Sequence, residues 1–472
     1  MQTVTETEKV RHLLRRFGLG ASEAEVDFYG AGGYLSAVEK LLASDQHEEA
    51  VTFGEEFLYN KDGKVNGNPK FAQAVWYSEQ LVTNRPLTYK MALFWHDHFA
   101  TSMQKVSNGP IMLNHIRLLR DKGLGNFRDF LLEISKDPAM LYWLDNESNV
   151  RGKPNENFAR EVMELFTLGE GNYTENDIQE AARCFTGWTY GIRRGNRLQV
   201  ARNQVPPMQS EFVFDEKSHD PGTKTVFGNA GEWMGEDIVG ILCGNPRTAY
   251  YITEKIWNWF VEPKPKKATI EKFAEGFRKG SLNIRELIRS IMLSEEFQSE
   301  QVRRVVIKNP YDFCIPMARQ LGVGSVVVEA ATKSDDYQQK QRALQISQGL
   351  KQSMLNMGME LMQPPDVSGW PSYSEWISTS TIVERISFGK ELFVRNGRSV
   401  INANGFIGSG QPSDVVDRLV SLFDVNLSSV KRQELVKSAT KNSGGQVTSR
   451  NVNVVCGEVM QLLCSTPEFQ FM

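Results

Sequence analysis

Apolar residues recur along most of this chain with the spacing of helices that bury one face. The pattern covers 6–44, 86–102, 115–120, 126–136, 154–168 and 234–298. Ser22 with Glu25, and Thr174 with Asp177, have the spacing of capping boxes, in which each residue caps the other at a helix start. Because these runs are long and separated by Gly and Pro, the pattern predicts a mostly α fold, a multi-helix globular array.

A different pattern interrupts the helices at about 190–228. Residues 211–215 alternate between polar and apolar, and an apolar run follows at 224–227 after a turn containing Asp220-Pro221-Gly222. Alternation indicates a strand, and Asp-Pro-Gly is typical of a turn. We therefore predict a small β-hairpin insertion formed by these two strands.

The second half of the chain returns to helical spacing, at 305–321, 337–358, 379–393 and 412–423. We predict one domain over 1–472. Its N-terminal helical core spans 1–300 and carries the insertion at 190–228, and its C-terminal helical part spans 301–472.

Composition excludes several classes of protein. With 54 basic and 57 acidic residues the net charge is −3, so no nucleic-acid partner is expected. No stretch approaches the roughly 20 apolar residues of a transmembrane segment, and the polar start of the sequence shows no signal peptide. The five cysteines form no CxxC pair, so we expect free, buried thiols rather than a zinc-thiolate site.

The first candidate ligands are His96 and His98, within a helical pattern. Two positions apart on a helix correspond to about 200° of rotation, so at most one of them is expected to ligate a metal unless the helix ends there. The alternative is that both imidazoles are hydrogen-bonded groups of the core. His219, beside the predicted turn, is a third candidate, and a purely structural turn is its alternative.

The helix at 154–168 carries the other candidates. Asn157, Glu161, Glu164 and Leu168 form one stripe, and Arg160 borders it. Two carboxylates one turn apart can share a metal or act as an acid–base pair, so Asn157, Arg160, Glu161 and Glu164 are candidate catalytic residues. The alternatives are a solvated helix face and a salt-bridged network organised by Arg160.

Together these residues suggest one metal site. If His219 folds back toward Glu161, Glu164 and His96 or His98, the set of imidazoles and carboxylates suits Fe, Mn or Zn.

Two further segments have chemical potential. Arg15 and Arg16 lie near a helix start, where they could hold an anion, although pairing with a core carboxylate is the simpler interpretation. Trp370, in a Gly-Trp-Pro turn, and Trp376 offer aromatic surface for a sugar or peptide. Alternatively, both only pack the C-terminal helices.

Several strings in the chain resemble one family, the domain of unknown function 1800 family. They are RHLLRRFGLGAS at 11–22, FWHDHFATS at 94–102, KDPAMLYWLDN at 136–146, KPNENFAREVMELFTLGEGNYTENDIQEAARCFTGWTY at 153–190, HDPGTKTVFG at 219–228 and QPPDVSGWPSYSEWISTSTIVER at 363–385. The resemblance extends over nearly the whole chain. It is specific because these strings are long and occur in order.

The resemblance implies a bacterial protein of uncharacterised function. Many members are exported, and many are encoded beside a second, sulfatase-like family, so a neighbouring gene's product is an expected partner. We weigh a metal-dependent enzyme, hydrolytic or oxidative, using the His/carboxylate site. The alternatives are a non-catalytic binding or assembly protein and a carbohydrate- or peptide-binding module.

Overall fold

The computed structural model describes residues 4–58, 62, 64, 66–195, 197–333, 337–395, 398–399 and 401–472. This part of the chain is mostly α, as predicted. The first ten helices are α1 (Glu6–Phe17), α2 (Glu23–Gly30), α3 (Gly33–Leu42), α4 (Pro69–Val82), α5 (Pro86–His98), α6 (Gly109–Lys122), α7 (Phe127–Lys136), α8 (Pro138–Trp143), α9 (Asn157–Met163) and α10 (Glu175–Cys184).

Thirteen more helices follow in the described chain. They are α11 (Gly235–Gly244), α12 (Pro246–Phe260), α13 (Lys267–Lys279), α14 (Ile284–Leu293), α15 (Glu295–Gln298), α16 (Pro310–Gln320), α17 (Val323–Thr332), α18 (Tyr337–Asn356), α19 (Thr379–Glu391), α20 (Pro412–Leu422), α21 (Ser429–Ser443), α22 (Val452–Cys464) and α23 (Pro467–Gln470). None of the helices in the described ranges combines the length and apolar character that a membrane crossing requires.

The helix starts follow from local sequence. Ser22 accepts a hydrogen bond from the backbone N–H of Glu25, whose carboxylate accepts one from Ser22 in return. Thr174 and Asp177 form the same reciprocal pair at the start of α10. Each pair satisfies donors that the first helical turn leaves open. Both predicted capping boxes are therefore confirmed.

Most of the described strands lie in or beside the predicted region, but their pairing differs from the predicted hairpin. β1 (Trp188–Arg194) pairs with both β2 (Arg197–Val200) and β3 (Glu211–Phe214), while β4 (Lys224–Val226) pairs with β5 (Asn229–Gly231). A third small sheet joins β6 (Val394–Arg395) and β7 (Arg398–Ser399).

The pairing prediction failed because the strand at β1 went unrecognised. Trp188 and Tyr190 on β1 are almost completely buried, so this strand occupies the position next to the core. It takes up the hydrogen-bonding edge of β3, with Trp188 opposite Phe214 and Gly191 opposite Glu211.

Contacts run across the predicted boundary at 300. α4 is buried along most of its length and packs against α6, and also against α16, α17 and α18 from the second half of the chain. Ser78 on α4 shares a hydrogen bond of 2.9 Å with Ser347 on α18. The division into 1–300 and 301–472 stays a prediction.

Candidate functional site

The two histidines on α5 bind different partners on opposite sides of the helix. The Nε2 atom of His96 accepts a hydrogen bond from the backbone N–H of Met362, at 3.1 Å. His98 uses its Nε2–H to donate to the carbonyl of Phe166, at 3.2 Å. Burial lowers the pKa of both imidazoles well below the usual value, so both are neutral. Their separation around the helix is the one predicted from two-residue spacing.

His219 lies apart from both of them, beside the end of β3. Its Nδ1–H donates to the carbonyl of Thr186 at 2.9 Å, and its ring packs against that of Phe214. The neighbouring Asp220 receives two hydrogen bonds from the guanidinium of Arg183. These contacts close the loop onto the end of α10, and they match the structural alternative for this turn.

The candidate catalytic residues on α9 form a network of their own. Arg160 contacts Glu156 at 3.3 Å and Glu175 at 2.7 Å, while Glu164 accepts a short hydrogen bond from the hydroxyl of Tyr173. Burial raises the pKa of Glu161, and the charge of Glu164 raises it further.

The predicted helix at 154–168 is replaced at its end by a π-turn. α9 gives way to π-helical residues Glu164–Leu168, and the N–H of Gly169 bonds to the carbonyl of Glu164 five residues earlier. The wider turn departs from the 3.6-residue period. The predicted stripe from Asn157 to Leu168 is therefore wrong: Asn157 is exposed and Leu168 is fully buried.

Carbonyls of the π-turn receive hydrogen bonds from other helices. Tyr251 on α12 donates its hydroxyl to Leu165 O at 3.1 Å, and Arg247 donates Nε–H to Leu168 O at 2.8 Å. His98 supplies the third donor, to Phe166. The imidazole of His98 is thus part of the packing that holds this turn.

The predicted metal ligands are not assembled into one centre. His96, His98 and His219 bind separate partners, and Glu161 and Glu164 lie in the network around Arg160 and Tyr173. Within the described ranges, no group of three or more His, Cys, Asp or Glu side chains is placed to hold a metal ion. A site for Fe, Mn or Zn built from these five residues stays a prediction.

Elsewhere, the structure contains a cleft lined by aromatic side chains, with a volume of about 460 Å³. Its walls come from α5, α12 and two segments of the second half of the chain. The aromatic residues that line it are Phe94, Trp259, Trp370, Tyr373 and Trp376, and the polar ones are Asp97, Glu254, Lys255, Asn258, Lys264, Asn309, Asp312 and Ser372. We call it the aromatic cleft below. Its size and mixed lining are those of a ligand site.

Asp97, between the two histidines, is held in the cleft wall by the Gly-Trp-Pro turn. One carboxylate oxygen, Oδ1, accepts a hydrogen bond of 2.7 Å from the backbone N–H of Trp370. Gly369 makes this approach possible: its φ is 96°, and a Cβ there would stand 2.5 Å from both the carbonyl oxygen and Oδ1 of Asp97. Only glycine combines that backbone conformation with so close a contact.

Asp97 and Lys255 are the electrostatic centre of the cleft. Burial raises the pKa of Asp97 to about 6, although the charge of Lys255 and the N–H of Trp370 both oppose the shift. Burial likewise lowers the pKa of Lys255, against the effect of Asp97. Lys255 has no hydrogen bond or ion pair to any described residue, and its ammonium lies 5.6 Å from the ring centre of Tyr251.

A buried ion pair closes the floor of the cleft. Lys90 on α5 contacts Asp312 at the start of α16, and both side chains are at most 2% exposed. Asn309 donates to the other carboxylate oxygen of Asp312 at 3.0 Å. The pair joins the two halves of the chain directly behind the cleft.

Sequence reasoning found part of this cleft and missed its charged groups. The sequence indicates Trp370 and Trp376 as a possible surface for a sugar or peptide. The site residues predicted from sequence include the histidines on either side of Asp97, but neither Asp97 nor Lys255. A usable signal was the helical spacing of Phe94 and Asp97, three residues apart and so on one face of α5.

Comparison with curated proteins found no match, and neither did comparison with solved structures. The family model DUF1800, described as a protein of unknown function, matches residues 12–471. The match includes the π-turn and all the residues that line the aromatic cleft except Met472. The chain therefore belongs to the DUF1800 family.

Proposed function

We propose that the aromatic cleft binds a carbohydrate. The observation that carries the proposal is the presence of polar side chains without protein partners among aromatic rings. Glu254 and Lys255 make no hydrogen bond or ion pair to a described residue, and the Oδ2 atom of Asp97 has no hydrogen bond. Groups left open in this way at a cavity wall are available to a ligand.

A sugar ring matches this combination of surfaces. Its C–H faces are apolar and pack on flat aromatic side chains, while its hydroxyl groups both donate and accept hydrogen bonds. Trp370, Trp376 and Tyr373 supply the aromatic surface on one side of the cleft. Asp97 and Glu254 supply acceptors and Lys255 a donor beside them, so both parts of a sugar are recognised.

The side of the cleft formed by 370–376 is fixed in place. The hydroxyl of Tyr373 donates to the carbonyl of Asn258 on α12 at 2.7 Å, and the N–H of Lys264 donates to Oδ1 of Asn258 at 3.2 Å. The first bond ties the aromatic segment to the helix that carries the polar groups, and the second holds the loop after that helix. A pre-formed cleft loses little entropy on binding.

The metal-dependent enzyme has less support from the geometry. It needs His96 or His98, His219 and the two glutamates to share one ion, and their hydrogen bonds direct them to separate places. Assembly with a partner protein stays a prediction, since nothing in the cleft bears on it.

The test is calorimetric titration of the full chain with neutral and acidic oligosaccharides, and with short peptides as the competing class. We expect saturable binding of at least one oligosaccharide. Trp376→Ala should weaken it about tenfold, a loss of about 1.4 kcal/mol. Trp233→Ala, outside the cleft, is the control and should bind as the wild type does, provided that circular dichroism shows both variants folded.

Binding should also depend on pH. Both oxygens of Asp97 accept hydrogen bonds while the carboxyl is ionised, but protonation turns one of them into a donor. Because Oδ1 already accepts from Trp370, protonation removes the acceptor that is open to a ligand, and affinity should fall as the pH drops below about 6. Peptide binding without carbohydrate binding, or unchanged affinity in Trp376→Ala, would refute the proposal.

A further inference from the structure

A second, smaller cavity lies on the other side of Asp312. Its volume is about 40 Å³, room for about three water molecules at roughly 10–15 Å³ each. The end of α1, the helix α16 and the residues around 424 and 469 enclose it. Four of its lining side chains are charged: Arg15, Lys308, Asp312 and Asp424. We call it the basic cavity.

At the mouth of the basic cavity, positively charged side chains outnumber negatively charged ones. Arg15 and Arg304 both contact the same carboxylate oxygen of Asp424, so two guanidinium groups share one carboxylate. The Nε–H of Arg15 is buried and has no hydrogen-bond partner. Asp424 is 29% exposed, so this end of the cavity opens to solvent.

Lys308 is the second unmatched cation. Its ammonium donates to the carbonyl of Phe469 at 2.8 Å and stands 4.3 Å from the centre of that ring. It has no ion pair with a described carboxylate. Burial, together with the smaller effects of the charges on Arg304, Arg15 and Arg385, lowers its pKa to about 7, and Cys464 opposes the shift.

The carboxylates nearby are already used. Asp312 is neutralised by Lys90, as described above. Arg16 and Arg385 are completely buried and donate to main-chain oxygens, including Val261 O for Arg16 and Lys308 O for Arg385. Neither has an ion pair among the described residues. With Lys308 protonated, the charged side chains that line the basic cavity and their ion-pair partners therefore carry two more positive than negative charges.

We propose that the basic cavity binds a small oxyanion of the phosphate or sulfate class. A dianion supplies the two missing charges, and its oxygens can accept from Arg15 Nε and from the ammonium of Lys308. Phe313, Phe423 and Phe469 also line the cavity and lower the local polarity, which strengthens the attraction. The anion draws a proton onto Lys308, because a bound negative charge favours the ammonium form.

The proposal does not depend on carbohydrate binding. The basic cavity and the aromatic cleft have Asp312 and Met472 in common, but the charged groups that define each site are different. An anion could bind to a protein whose cleft binds no sugar.

The experiment is calorimetric titration of the full chain, equilibrated in chloride buffer, with inorganic sulfate, inorganic phosphate and glycerol phosphate. We expect one inorganic anion per chain. Glycerol phosphate should bind at least tenfold more weakly because the cavity has no room for the ester, and this arm separates free phosphate from phosphorylated metabolites. Equal binding of all three anions would contradict a site inside the cavity.

The sulfate titration is repeated at pH 8 in two buffers with different heats of ionisation. Sulfate does not titrate near this pH, so a difference in heat between the buffers reports the proton taken up by Lys308. We expect that difference in the wild type and its loss in Lys308→Met, together with at least tenfold weaker binding. Lys279→Met is the control, because Lys279 is exposed and paired with Glu275.

A second variant keeps the test decisive if Lys308→Met does not fold. Arg304→Gln removes one of the two guanidinium groups on Asp424 and should also weaken binding about tenfold. Absence of saturable binding in the wild type would overturn the proposal, as would unchanged affinity in the folded variants.

Discussion

The carboxylate cluster on α9 and the aromatic cleft illustrate two different fates of polar side chains. On α9 the charged groups occur close together in the sequence, and the structure pairs them: Arg160 with Glu156 and Glu175, and Glu164 with Tyr173. In the cleft, Asp97 and Lys255 come from segments more than 150 residues apart and stay without an ion pair.

Proximity in the sequence is therefore a poor guide to a ligand site in this protein. Neighbouring opposite charges on a helix satisfy each other, which leaves little for a ligand. Groups brought together only by tertiary structure can keep free donors and acceptors when a cleft separates them. The same contrast holds for the basic cavity, where Lys308 lacks the carboxylate partner that Arg160 has.

The strongest way to test the comparison is to remove one charge from each region. Lys90→Met leaves Asp312 buried without its cation under the cleft, and should lower the free energy of unfolding by about 3–5 kcal/mol. Arg160→Met on α9 should cost far less, because its partners are open to solvent. Urea unfolding of the two variants checks this. Similar losses would show that the α9 cluster is as important to stability as the cleft floor.

The next effect concerns the turn that holds Asp97. Gly369→Ala forces a Cβ against Asp97 and a left-handed backbone on alanine, and should destabilise the protein by about 3 kcal/mol. Gly152→Ala is matched, since Gly152 has a φ of 81° and open space around it, and should cost only about 1 kcal/mol. Equal losses in thermal or urea unfolding would mean that the close contact with Asp97 is not needed.

The pH dependence of stability distinguishes Asp97 from a paired carboxylate. Its pKa rises from 3.8 to about 6 on folding, so the folded state holds the proton more tightly. Between pH 4 and 6 the unfolded chain loses this proton first, and stability falls as the pH rises. Relative to Asp97→Asn, the wild type should lose about 2–3 kcal/mol over that window.

Glu161→Gln is the companion measurement on α9. The pKa of Glu161 is raised too, so its effect has the same sign. A flat difference between wild type and Asp97→Asn from pH 4 to 6, measured by urea unfolding, would mean that Asp97 is well solvated.

The smallest predicted effect is that of Tyr173→Phe. It removes the hydrogen bond to Glu164, which water can replace because the carboxylate is only half-buried, and should cost about 1 kcal/mol or less. Thermal unfolding measures this. A much larger loss of stability, or a metal bound by the wild type and released by this variant, would support a functional site at the α9 carboxylates.

Much of the fold was predictable because its causes are local. Helical spacing and the capping boxes at Ser22 and Thr174 depend on residues within one or two turns of each other. The pairing of β3 was not predictable, since it depends on the burial of Trp188 and Tyr190 against a core built from distant helices.

The site was less predictable for the same reason. Trp370 and Trp376 could be recognised as a possible binding surface from their residue type. Asp97 is important because it has no ion pair. It also contacts Gly369, which is more than 270 residues away in the sequence. Neither can be deduced from the residues beside it. The π-turn is likewise stabilised by side chains on other helices, which donate hydrogen bonds to its carbonyl oxygens.

The π-turn after α9 also has a consequence for insertions and deletions in this segment. One extra residue in a helical turn is what distinguishes π from α hydrogen bonding, so the turn is equivalent to a single-residue insertion. Removing that residue would restore a regular helix and rotate everything after it by about 100°. Three donors would then face the wrong atoms: His98, Tyr251 and Arg247. Once those side chains were in place, the insertion could no longer be lost by a single deletion.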